Sequence, residues 1–169
     1  MLVVTGASEV IGSAFIKKLI EEEYGDIIAV DSLADAINPA EKKISERLHP
    51  EDLSEWIKVN QLHIQFVFHL SEKTDLYDLK SLWNYCAEFG LPFVAASRES
   101  GAFDHFKLWS EEQERQPYFW AGLQIKDVTT ADAAEVIYFL MHHRKDSGIY
   151  NPKEDLEKLR EVGFYKDIG

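Results

Sequence analysis

Apolar residues along this chain recur with two alternating periods. Residues 2–5, Leu-Val-Val-Thr, form a short apolar run that breaks at Gly6. From 11 to 23, Ile11, Phe15 and Leu19 recur at helical spacing, with Lys17 and Lys18 on another face. Residues 26–31, Asp-Ile-Ile-Ala-Val-Asp, read as a second buried strand. The stretch that follows carries no clear period until Pro50, Glu51 and Asp52. Those three suit a first helical turn, where proline's missing N–H costs nothing and acids meet the positive end of the helix dipole. Leu53, Trp56 and Ile57 give that helix its core face. Residues 64–70 predict a third strand. Residues 75–89 predict a helix striped by Leu76, Leu79, Trp83 and Cys86 and stopped by Gly90. A fourth strand over 91–96, a helix over 102–114 and a fifth strand over 118–125 follow. Residues 131–143 predict a helix capped by Thr129 or Thr130 and striped by Ala133, Val136, Ile137 and Leu140. Residues 148–151 read as a sixth short strand, and 155–162 as a last helix ended by Gly163.

Strands that are apolar throughout, each followed by an amphipathic helix, imply a parallel sheet covered on both faces and joined by right-handed crossovers. The expected fold class is therefore α/β, a Rossmann-type doubly wound parallel sheet of about six strands with helices on both faces. No internal repeat, linker or low-complexity segment interrupts the pattern, so residues 1–169 are expected to form a single domain.

Composition narrows the partners. With 18 basic and 30 acidic residues the formal net charge is −12, a field that repels nucleic-acid phosphates and anionic lipid. A hydrophobic fraction of 46% and an aromatic fraction of 12% supply a core and argue against disorder. No apolar run approaches the length of a membrane span. The N-terminus lacks the pattern of a signal peptide, and the single cysteine, Cys86, cannot form an internal disulfide. A cytoplasmic location is the expectation.

Candidate chemistry begins at the first turn. Val3-Val4-Thr5-Gly6-Ala7-Ser8-Glu9-Val10-Ile11-Gly12 is a strand, a tight turn and the start of a helix, and Asp31 ends the next strand. Helix N–H groups at such a turn can hold a pyrophosphate, and an acid in the position of Asp31 can accept from ribose hydroxyls. The plainer reading is that Gly6 and Gly12 only permit a tight turn and close helix–sheet packing. The strand–turn–helix context and Asp31 favour the nucleotide-binding reading.

These residues resemble the extended short-chain dehydrogenase/reductase family, whose fingerprint is T-G-x-x-G-x-x-G. Further stretches are similar to the ADP-glycero-manno-heptose 6-epimerase branch of its sugar-nucleotide epimerases and dehydratases. They are Phe68-His69, residues 85–93, Ala96-Ser97, Trp120-Ala121-Gly122-Leu123, Ser147-Gly148-Ile149-Tyr150-Asn151 and residues 155–164. The resemblance implies NAD or NADP as cofactor, with Gly6, Glu9, Val10, Ile11, Gly12 and Asp31 at the cofactor positions. Family members are much longer, so the chain is similar to one without its substrate-binding lobe.

Four departures from the family pattern stand out. Glu9 occupies the middle glycine position, where it adds bulk and negative charge beside the pyrophosphate; like charges about 5 Å apart at an effective dielectric near 20 repel by roughly 3 kcal/mol. Glu9 also lies near a helix N-terminus, so its carboxylate is expected to occupy or screen the phosphate position. The family's Y-x-x-x-K pair is matched in spacing only by Phe103 and Lys107, and phenylalanine has no hydroxyl for proton transfer. The helper serine or threonine falls on Arg98, and the glycine-alanine pair after the third strand is replaced by Leu70-Ser71-Glu72. Arg98, Phe103 and Lys107 are thus degenerate catalytic positions.

The remaining candidates have plain accounts. His142-His143 sits at a helix end without a third metal ligand. His69 closes the third strand near the crevice in a packing or ligand role, and Cys86 falls on a core stripe. Glu21-Glu22-Glu23 reads as a solvated helix end. Ser97, His105 and Asp104 form a hydrolytic triad only on paper, with no nucleophile elbow. Tyr118, Phe119, Trp120, Phe103, Phe106 and Trp109 read mainly as core. Surface uncovered by the missing lobe would suit a homodimer. The preferred function is a catalytically degenerate epimerase homologue acting as a binding or interaction module. The alternatives left open are a minimal NAD(P)-dependent epimerase or dehydratase using Tyr118 or Ser100 as its hydroxyl, and a nucleotide or sugar-nucleotide sensor.

Overall fold

The computed structural model describes residues 1–32, 43–73, 75–143 and 146–154. Among these residues seven parallel strands form one sheet, accompanied by five α-helices. The strands are β1 (Leu2–Thr5), β2 (Ile27–Val30), β3 (Ile44–Leu48), β4 (Phe66–Leu70), β5 (Phe93–Ser97), β6 (Trp120–Gln124) and β7 (Gly148–Tyr150). The helices are α1 (Val10–Glu21), α2 (Leu53–Asn60), α3 (Leu76–Phe89), α4 (Asp104–Glu112) and α5 (Thr130–His142). The order across the sheet is β3-β2-β1-β4-β5-β6-β7. The chain winds outward one way to β3, returns to the other side of β1 as β4, and winds outward again to β7. Reversal between β1 and β4 opens a crevice at the carboxyl ends of those strands, the place where open α/β sheets take ligands.

The hydrophobic pattern placed six of the seven strands. β3 lies in the stretch without a clear period, because only Ile44 of its residues is buried and Ser45 and Glu46 face solvent. An edge strand covered on one side gives neither an apolar run nor a clean alternation. The predicted helix over 155–162 lies outside the described residues.

Alternation along the strands separates two cores. Val4, Phe66, Phe68 and Val94 face α1 and α5, while Val3, Val67, Phe93 and Ala95 face the side of α2, α3 and α4. Aromatics dominate the second core. Trp83 is fully buried, with ring centroids 5.0 Å from Phe106, 5.7 Å from Trp109 and 5.5 Å from Trp120. Tyr118 is the exception among the aromatics read as core; it precedes β6 and is 74% exposed. Helix ends follow the expected chemistry. Thr129 caps α5 by accepting from the Asp132 amide, Asp75 caps α3 by accepting from the amides of Tyr77 and Asp78, and Gly90 ends α3 at φ 63°.

Truncating Trp83→Ala empties the aromatic cluster and is expected to cost about 3–5 kcal/mol. Tyr118→Ala should stay within about 0.5 kcal/mol, because its ring packs against little. Urea unfolding of the two variants checks both values.

Candidate functional site

Two close backbone approaches build the crevice. Gly6 turns with φ 70°, and a Cβ there would stand 2.2 Å from the Leu70 carbonyl oxygen at the end of β4. A Cβ on Gly12 would stand 2.1 Å from the Gly6 oxygen. Only glycine permits both contacts. They press the start of α1 against the ends of β1 and β4, which places residue 9 beside the loop after β4.

Amides of the turn are bonded within the protein. Ala7 N donates to the Val30 carbonyl at 3.3 Å, and Ser8 N donates to Asp31 Oδ2 at 3.0 Å. Glu9 N donates to the Gly6 carbonyl at 3.0 Å. Asp31, buried just past β2, is therefore tied to the turn itself. The Glu9 side chain does not cap its own helix, although Glu9 is the N-cap residue of α1. Its carboxylate reaches across the crevice and accepts from the Glu72 amide at 2.5 Å, and it lies 3.1 Å from Ser71 Oγ, a hydroxyl shared with the Lys73 carbonyl at 2.5 Å. The carboxylate is thus bonded to the opposite wall of the crevice rather than to an amide of its own helix.

The loop after β4 carries the connection further. Glu72 Oε2 lies 3.5 Å from Arg98 Nε. The Arg98 guanidinium donates to the carbonyls of Ile125 at 3.0 Å and Val128 at 2.7 Å, and to Thr130 Oγ1 at 3.1 Å. A continuous polar strap thus runs from the glycine turn, over the ends of β4 and β5, to the β6–α5 loop. Arginine suits this place because its planar fork meets several acceptors at once.

On the other side of the strap the crevice stays open. A cavity of about 530 Å³ lies toward β2, α2 and α3, within the roughly 300–1,000 Å³ of small-molecule sites. Asp31, Glu51, Asp78, Tyr77 and Tyr85 line it, together with the His69 ring. Nδ1 of His69 pairs with Thr5 Oγ1 at 2.6 Å, and its buried Nε2 has no partner among the described residues. Burial pushes the imidazole from its ordinary 6.5 down to about 4, against a small opposing pull from Asp75, so the ring is neutral at pH 7.

The degenerate positions scatter. Arg98 belongs to the strap, but Phe103 is buried with its Cβ and ring pressed against Gly122, where an added Cβ would be 2.7 Å away. Lys107 is exposed on α4. Tyr118 precedes β6, at the opposite end of the sheet from the crevice, so it cannot lend its hydroxyl to chemistry there. Ser100 is exposed in the loop after β5. Ser97 Oγ accepts from the Glu99 amide at 3.1 Å, while His105 stacks on Trp109; no hydrogen bond among the described residues joins them as a triad. His142 and His143 each donate from Nδ1 to a carbonyl one turn earlier on α5, Tyr138 at 2.9 Å and Phe139 at 3.0 Å. Cys86 is buried, which raises its thiol far above the ordinary value. Among the described residues no group of three His, Cys, Asp or Glu could hold a metal ion, and no helix is long and apolar enough to cross a membrane. Sequence reasoning missed Ser71 and Glu72 as partners of Glu9. Their position after the third predicted strand was the available signal, since that loop faces the glycine turn across the switch point.

A family model described as the NAD dependent epimerase/dehydratase family matches residues 2–104. The chain belongs to that family. An ADP-L-glycero-D-manno-heptose-6-epimerase from Fusobacterium nucleatum subsp. nucleatum is 27% identical, over 99% of this chain and 68% of its own length. Among solved structures, a UDP-glucose 4-epimerase from Thermotoga maritima, crystallised with UDP-glucose, aligns at TM-score 0.51 and 17% identity. That match covers 73% of this chain and 54% of the other, so the chain spans about half of that enzyme. A short chain dehydrogenase/reductase family oxidoreductase from Aeromonas hydrophila aligns at TM-score 0.58 and 13% identity, over 89% of this chain and 95% of that one. Both structural likenesses support the fold: a parallel Rossmann-like sheet.

Two outcomes test the energetics of this family member's site. The unfolded imidazole of His69 protonates near 6.5 and the folded one only near 4, so stability is full above pH 6.5 and is lost as pH falls toward 4. The loss attributable to this group is about 3 kcal/mol, and His69→Asn should remove that part of the pH dependence in urea unfolding at pH 7 and pH 4. Arg98→Ala unties three acceptors and should cost about 1.5–3 kcal/mol, with Arg98→Lys recovering less than half by the same measurement.

Proposed function

We propose that this chain is a catalytically degenerate member of the epimerase/dehydratase family, a binding module that neither turns over a sugar nucleotide nor holds NAD or NADP firmly. The observation that carries this reading is the Glu9 carboxylate bonded to Ser71 and the Glu72 amide across the crevice. A dinucleotide following the family's path would bring its diphosphate to the glycine turn, where it would meet that carboxylate. It would also find the Ala7, Ser8 and Glu9 amides engaged with Val30, Asp31 and Gly6. Repulsion between Glu9 and a phosphate about 5 Å away amounts to roughly 3 kcal/mol, more than a hundredfold in affinity. The residues present do not fit a diphosphate.

Chemistry fails separately. A proton-transferring hydroxyl held by a lysine is the family's acid–base group, and Phe103 at that position is a core side chain. Arg98, at the helper position, spends its donors on the β6–α5 loop. The Thermotoga enzyme aligns over 54% of its own length, so that likeness concerns the parallel Rossmann-like sheet. A cytoplasmic location and a homodimer complete the reading.

Titrating NAD(H) and NADP(H) into wild type and Glu9→Gly by calorimetry tests it. The expected outcome is no wild-type binding below about 1 mM, with affinity gained roughly tenfold or more in Glu9→Gly. Micromolar binding by the wild type would overturn the reading.

A further inference from the structure

The loop after β4 is held in place by side chains from other elements. Residues 71–73 make no backbone–backbone hydrogen bond among the described residues. A segment without such bonds opens at low cost unless something else fixes it. Two charges do so from opposite sides. Glu9, at the N-cap of α1, accepts from the Glu72 amide at 2.5 Å. Arg98, just past β5, has its Nε 3.5 Å from Glu72 Oε2. Both meet at one residue. We propose that Arg98 is a positioning residue for Glu9: acting through Glu72, it keeps the amide of residue 72 within reach of the Glu9 carboxylate. The three residues form an autoinhibitory latch across the glycine turn.

The two ends of the latch are unequal, and that gives it a direction. The Arg98 guanidinium donates to the carbonyls of Ile125 and Val128 and to Thr130 Oγ1, so the β6–α5 loop fixes its place and leaves Nε facing Glu72. Glu9 has no such anchor, since its side chain makes no cap bond to its own helix. Its other contact is Ser71 Oγ, 3.1 and 3.3 Å from the two carboxylate oxygens, and that hydroxyl is also 2.5 Å from the Lys73 carbonyl. A hydroxyl has one proton to give, so Ser71 cannot serve both acceptors at once. Among the described residues the Glu72 amide is thus the donor committed to Glu9 alone. Displacing Glu72 releases Glu9. The fixed wall is β5 with the β6–α5 loop, and the movable parts are residues 71–73 and the Glu9 side chain. Arg98, at the helper position of the family pattern, serves here to hold shut the place a diphosphate would take.

The proposal rests on the reading that the Glu9 carboxylate refuses a dinucleotide, and its test needs no ligand. Hydrogen exchange at the residue-72 amide is followed by NMR in the full chain, with the amides of β4 reporting overall stability. Glu9→Gln removes the charged acceptor and should speed exchange at residue 72 about tenfold. Glu72→Ala keeps that amide and every bond of Arg98 to the β6–α5 loop, so it cuts the latch alone. Glu72→Ala and Arg98→Ala should each speed exchange at residue 72 by about threefold or more, and the double variant by no more than either single one. An Arg98 that only anchors the β6–α5 loop would leave residue 72 unmoved. Exchange there within about 1.5-fold of wild type in either single variant, or effects that multiply in the double variant, would overturn the proposal. Failure of Glu9→Gly to gain NAD affinity would sink the reading beneath instead, and exchange at residue 72 does not depend on it.

Discussion

Everything at the carboxyl edge of the sheet depends on how closely the glycine turn approaches the end of β4. A Cβ on Gly6 would come within 2.2 Å of the Leu70 oxygen, and one on Gly12 within 2.1 Å of the Gly6 oxygen. Backbone packed that tightly cannot yield to a larger residue without moving a strand. It brings the first residue of the helix start within side-chain reach of the opposite wall. Glu9 uses that reach: its carboxylate spans the crevice to Ser71 and Glu72. The two walls of the crevice are thereby joined by an internal bond.

From that contact a line of charge and hydrogen bonds continues through Glu72 and Arg98 to the β6–α5 loop. Each link is modest, since the Arg98 and Glu72 side chains are 28% and 36% exposed and their ion pair is partly screened. The strap's weight lies in its acceptors: backbone carbonyls of Ile125 and Val128 that arginine satisfies together. It ties the ends of β1, β4, β5 and β6 into one surface and divides the crevice. One part is closed by the strap, and the other remains a cavity walled by carboxylates, hydroxyls and a neutral imidazole.

Much of this was legible in the residues. The apolar runs located β1, β2 and β4 to β7, and the helix stripes located the covering layers. β3 was lost because an edge strand buries only Ile44 and so has no apolar run to find. The glycine turn and Asp31 were readable as a nucleotide-type turn, and Glu9 as its break. Tyr118, by contrast, carried a hydroxyl that sequence left available, and its place before β6 put it at the wrong end of the sheet. Phe103 read as a missing hydroxyl; its burial against Gly122 adds that the position has become part of the core.

By itself, the sequence determined the class of fold, because period and apolar runs report which faces each element must bury, and those are local properties. It showed equally that positions 9 and 103 carry a carboxylate and a phenyl ring where the family resemblance expects a glycine and a tyrosine, since the identity of a residue needs no coordinates. Tertiary structure alone decided where Glu9 points. Its partners are 62 and 63 residues away in the chain, and only the reversal between β1 and β4 makes them neighbours. The same holds for the cavity, whose carboxylates come from the N-cap of α1, the end of β2, the approach to α2 and the start of α3. Charge at a site is a sum over distance, and sequence spacing does not carry distance.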